Sequence, residues 1–99
     1  MEVDRYSEIP PYQQVAAQLA ALIRAGHYEP GQRLPSAAGI VQETGVAEGT
    51  ALKALKLLRS QGWAVVSPGM GTYTAPRENW PEPSEVVTHR GLGDRGREL

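Results

Sequence analysis

The sequence predicts an α+β fold of three helices followed by a two-stranded β-hairpin, and three observations predict it. Apolar residues recur at helical steps over residues 11–25 and again over residues 47–60. A shorter apolar stretch lies between them, with Ser36 placed as its N-cap. Behind the last helical stretch, β-branched and aromatic segments at residues 63–66 and 72–75 flank the loop Ser67-Pro68-Gly69-Met70-Gly71.

Each element follows from its own pattern. Tyr12, Val15, Leu19, Leu22 and Ile23 form one apolar stripe, while Gln13, Gln14, Gln18 and Arg24 fill the other positions of an amphipathic helix. Pro10 and Pro11 mark its start and Gly26 its end. Pro30-Gly31 makes a turn into the short extended piece Arg33-Leu34. The second helix opens at Ser36, buries Ala37, Ile40 and Val41, and closes at Gly45. In the third, Ala47, Ala51, Ala54, Leu55 and Leu58 share the core face. At about 100° per residue, Gly49, Lys53 and Lys56 fall together on the opposite side, with Leu52 near its edge. Gly62 ends that helix, and Trp63 is expected in the core.

Composition bounds the organisation. The chain has 99 residues, room for one domain. Residues 1–9 read as an N-terminal arm, 10–76 as the folded domain, and 77–99 as a flexible tail rich in Pro, Gly and charge, where Trp80, Val86, Val87 and Leu92 are the apolar anchors. The chain has no cysteine, which excludes a disulfide framework and a thiolate metal site. No apolar run approaches the roughly 20 residues that span a bilayer, and the acidic start MEVDRYSEIP lacks the order of a signal peptide. A cytoplasmic protein without membrane contact is expected. His27, His89, Asp4 and Asp94 stand in unlike contexts, and no nucleophile, base and orienting group share a motif. Neither catalysis nor a cofactor or metal is therefore expected.

A helix-turn-helix followed by a hairpin is a winged helix-turn-helix, and that arrangement carries one helix into the major groove of double-stranded DNA. Charge has to be placed rather than abundant: through residue 75, Arg5, Arg24, Arg33, Lys53, Lys56 and Arg59 are balanced by Glu2, Asp4, Glu8, Glu29, Glu43 and Glu48. On residues 47–60, the expected recognition helix, Lys53 and Lys56 can meet phosphates or guanine O6/N7, and Gly49 allows close approach. Thr50 and the first-turn amides can hold a phosphate at the positive end of the helix dipole. Ser36 can touch a phosphate while it caps its helix, and Arg33 and Arg59 are candidate phosphate ligands beside the helix pair. On the wing, Gly69 and Gly71 bring backbone N–H groups toward a phosphate, with Thr72 following them. Glu48 suits the helix dipole, and Tyr12 is expected to pack with its hydroxyl at the surface.

The passages PYQQVAAQLAALIRAGHYEPGQRLPS, TGVAEGTALKALKLL and GWAVVSPGMGTYTA, spanning residues 10–75, resemble the DNA-binding domain of the GntR family of bacterial transcription regulators. The carrying pieces are PG-x-RLPS at residues 30–36, the Gly45-Val46 turn, the ALKLL core face and G-x-GTY at residues 69–73. The resemblance implies a winged fold that binds operator DNA, with Lys53 at a basic family position. Ala38, Glu48 and Met70 stand where the family usually carries basic residues, so each is one contact fewer to phosphate or guanine. It also implies a stand-alone DNA-binding half, since the residues after Ala75 are too few for the family's effector domain. A weak homodimer on a palindromic site is expected from the small interface of one copy. The alternative expectation is a protein-interaction module on the same fold, docking through the Leu52 face or the tail with Trp80.

Overall fold

Pro11 stands at the first helical position, where its missing N–H belongs to a group that has no intrahelical acceptor anyway, and it opens α1 (Pro11–Arg24). The computed structural model describes residues 1–81. Val15, Ala16, Leu19 and Ile23 are the buried stripe of α1, at the three- and four-residue steps expected. Ser36 then caps α2 (Ala37–Thr44): its Oγ accepts from the Gly39 amide at 3.1 Å. Only Ile40 of this short helix is fully buried, with Ala37 and Val41 packed partly against the core.

After the Gly45 cap comes α3 (Glu48–Gln61), which buries Ala51, Ala54, Leu55 and Leu58. The small side chains of Ala51 and Ala54 are wholly covered where α3 meets α1 and α2. Ala47, expected on this core face, is instead the N-cap: its extended backbone, φ −67° and ψ 156°, leaves it outside the helix and exposed. Val46, just before it, fills the core place at 3% exposure.

The hairpin pairs β1 (Ala64–Ser67) with β2 (Gly71–Thr74) antiparallel, in the register Ala64 to Thr74 and Ser67 to Gly71. Ala64 and Thr74 face the core, while Val65 and Val66 are exposed. The extended piece 31–34 lies along the other edge of β2: Leu34 N–H donates to the Thr72 carbonyl at 2.9 Å, Thr74 N–H to Gln32 at 2.8 Å and Gly31 N–H to Thr74 at 2.9 Å. This third segment satisfies the outer edge of the wing at its base. Trp63 is buried beside β1, as expected.

Packed structure runs past residue 76. A 3₁₀ turn, Arg77–Asn79, brings the Trp80 ring to 5.5 Å from that of Trp63, and Trp80 Nε1 donates to the Ala75 carbonyl at 2.9 Å. Trp80, one of the apolar anchors expected in the tail, thus packs against the domain, because an indole can bury a face and still satisfy its N–H at the rim. The rest of the expected tail, with Val86, Val87 and Leu92, lies outside the described residues. At the other end, the arm is pinned along α1. Glu2 exchanges hydrogen bonds with the Gln18 side chain, and the Gln14 amide donates to the carbonyls of Asp4 and Ile9.

Candidate nucleic-acid interface

The exposed face of α3 is the first part of the site. Buried Ala51, Ala54, Leu55 and Leu58 fix its orientation, so Gly49, Lys53 and Lys56 point away from the core on one meridian, as the helical period requires. No side chain caps α3, in contrast to Ser36 on α2, so the first-turn N–H groups of Glu48, Gly49 and Thr50 have no protein acceptor among the described residues. Exposed Glu48 sits in that turn and suits the positive end of the helix. Thr50 is half-buried at its edge. Arg59 lies in the last turn, where it complements the dipole, about a quarter-turn from the meridian of Gly49. Leu52 is 53% exposed beside it.

The second part is the wing base. Arg33 forms a bridge with Tyr73, and its guanidinium lies over Gly71. A Cβ built on Gly71 would stand 3.0 Å from Arg33 Nε, and the residue holds φ +128°, so the backbone favours glycine and a side chain here would also push the Arg33 guanidinium aside. Gly71 thus leaves room for Arg33 as well as turning the chain, and the Arg33 guanidinium lies at the wing rather than beside the helix pair. Thr72 is half-buried, and its carbonyl accepts from Leu34. Gly69 turns the tip in open space next to Met70, which is 60% exposed.

The cations divide into two groups. Arg5 Nη2 donates to the Gly45 carbonyl at 2.9 Å, across the turn between α2 and α3. Arg24 lies 4.9 Å from the Trp63 ring centroid and donates to the Pro81 carbonyl, and Arg77 pairs with Glu29 at 3.3 Å beside Trp80. Those three hold the fold together. Arg33, Lys53, Lys56 and Arg59 make no ion pair among the described residues and remain available to an anion. The sequence balance of charge therefore hides a sorting of roles that only packing reveals.

One contact was not legible in the sequence: Lys53 Nζ sits 4.9 Å from the centroid of the Tyr12 ring on α1. Tyr12 is half-buried, with its ring against the core and its hydroxyl outward. Ala38, Glu48 and Met70 are all exposed, the first two in the opening turns of α2 and α3 and the third at the wing tip. Among the described residues, no three His, Asp or Glu side chains gather as a metal site, and no helix is long and apolar enough to cross a membrane.

Set beside known proteins, residues 11–74 match the model of the bacterial regulatory proteins of the gntR family. The chain is 42% identical over 66 residues to the uncharacterized HTH-type transcriptional regulator YdcR of Escherichia coli (strain K12), covering 67% of this chain and 14% of that protein. It is similar to YtrA from Sulfolobus acidocaldarius, a GntR-family transcription factor, with TM-score 0.69 and 32% identity over 75% of this chain and 78% of the other. AraR(DBD), solved in complex with operator ORX1, is similar at TM-score 0.69 and 32% identity, over 76% of this chain and 95% of that one. The expected winged helix-turn-helix fold is thus the observed one, and the matched family is one of regulators, not of enzymes. Nothing in these likenesses favours a protein-interaction module.

Proposed function

This chain belongs to the GntR family of bacterial regulatory proteins, and on that premise we propose that it binds double-stranded DNA and regulates transcription, with α3 in the major groove and the wing on the adjacent backbone. The observation that carries the reading is the outward face of α3, where Gly49, Lys53 and Lys56 stand exposed on one meridian. Gly49 lets the helix come close, and the uncapped amides at Thr50 suit a phosphate. Arg33 with Gly71 and Gly69, then Thr72, form the wing contact, while Ser36 and Arg59 flank α3 as backbone ligands.

The set is small, and most of its members are suited to backbone. Two copies on a two-fold symmetric site would double it, so we propose a weak homodimer that forms on DNA. Sedimentation at micromolar concentration should give a monomer alone and two chains per palindromic duplex. A stable dimer without DNA contradicts this assembly. The DNA reading itself is tested by replacing Lys53 and Lys56 together with glutamate and titrating a fluorescent duplex. Binding should be lost, and a double variant that binds like the parent would show that α3 is not the recognition helix.

A further inference from the structure

We propose that the hollow where α1 meets α3 is a seat for one phosphate of the DNA backbone, with Tyr12 Oη and Lys53 Nζ as its donors. The inference rests on the DNA reading above and adds α1 to the contact surface. The hollow measures about 250 Å³ and is lined by Tyr12, Lys53, Lys56, Leu57 and Ser60, with no carboxylate among them.

Lys53 is drawn sideways. Its ammonium lies over the Tyr12 ring, 4.9 Å from the centroid, so the stem leans from the outward meridian of α3 toward α1. An ammonium held there stands at the edge of the helix that would occupy the groove, where a sugar-phosphate strand would run, and away from the base edges beneath. The hydroxyl of the same ring has a proton to donate. Tyr12 Oη already accepts from Gln13 Nε2 at 3.2 Å, which occupies a lone pair and leaves its O–H proton for a further acceptor. Ser60 does not compete, since its hydroxyl donates to the Leu57 carbonyl at 2.8 Å. Leu57 supplies an apolar wall, partly buried against the core, that limits water on one side of the anion. The walls of the hollow are mostly apolar, and its polar groups, two lysines and one available phenolic proton with no carboxylate among them, suit a single anionic oxygen group, which in a DNA-binding protein is the phosphodiester.

The consequence is a division of labour: Lys53 positions the protein on DNA and reads no base. Tyr12→Phe keeps the ring under the ammonium and removes only the O–H, so the fold and the charge are retained. Affinity for a random-sequence duplex should fall by about five- to tenfold with an unchanged salt slope. Lys53→Met should flatten the slope of log Kobs against log salt by about 0.9. Base preferences, read by sequencing the bound fraction of a random library, should be the same for the parent and both variants.

A Tyr12→Phe chain that binds like the parent, an unchanged slope in Lys53→Met, or a changed preference at one base position in Lys53→Met would each overturn the proposal while leaving DNA binding intact. A parent chain that binds no duplex would overturn the DNA reading and this inference with it.

Discussion

Gly62 shows how a single residue can carry two constraints at once. It ends α3 with φ +98°, and a Cβ placed on it would overlap the Asn79 carbonyl oxygen of the clasp. Gly69 has a similar φ of +76° but nothing within 4 Å. Gly62→Ala should therefore lose about 2–4 kcal/mol, strain plus displacement of backbone, while Gly69→Ala should lose about 1 kcal/mol from strain alone. Urea denaturation of both variants checks this, and equal losses would mean that the clasp does not press on Gly62 in solution. The helix-stop role of Gly62 is legible in the sequence because a glycine follows a run of good helix formers. Its contact with Asn79 is not, because nothing local to either residue announces the pairing. The same holds for Arg33 and Gly71, and for Tyr12 and Lys53: each residue type is visible, and each meeting is made by the fold.

Helices and strands were the readable scale. Periodic burial places α1 and α3 within a residue or so of their observed ends, since Val15, Leu19 and Ile23, and Ala51, Ala54 and Leu58, recur at the period of the helix itself. The start of α3 is the exception, where Ala47 satisfies the period but lies before the first helical turn. Boundaries depend on capping and backbone angles more than on the apolar pattern. Charge was the least readable property of an element. Arg24 on α1 and Lys53 on α3 look alike as exposed cations and each lies over an aromatic ring, yet Arg24 also bonds the Pro81 carbonyl while Lys53 Nζ has no hydrogen-bond partner among the described residues. Arg24→Glu should accordingly cost about 1 kcal/mol of stability and leave DNA affinity within about twofold of the parent, because its side chain is held at Trp63 and Pro81, past the C-terminal end of α3 and not on the face of Gly49 and Lys53, and its charge is screened. Paired melting and anisotropy measurements separate the two effects. A large affinity loss with an unchanged melting temperature would place Arg24 at the DNA.

At the scale of the whole molecule, the ends of the described chain matter more than composition suggests. Trp80 covers Trp63 and is itself flanked by Arg77, so the short turn after β2 closes the side of the domain where α1 ends. A chain cut after residue 76 should lose about 2 kcal/mol, which for a domain of this size lowers Tm by roughly 10 °C. A chain cut after residue 81 should melt with the full-length protein, as the polar composition of residues 82–99 predicts. Equal melting of the two truncations would show that the tryptophan pair contributes nothing. The same sorting of contacts bears on DNA, because it leaves Arg33, Lys53, Lys56 and Arg59 as the cations whose charged groups make neither a hydrogen bond nor an ion pair among the described residues, while Arg5, Arg24 and Arg77 serve the fold. The most direct test is the salt dependence of binding to a random-sequence duplex, measured by fluorescence anisotropy from low to moderate salt. Three to four phosphate contacts per chain predict a slope of log Kobs against log salt between about −2.7 and −3.6. An absence of binding at low salt, or an affinity indifferent to salt, would contradict the assignment of this winged domain to DNA.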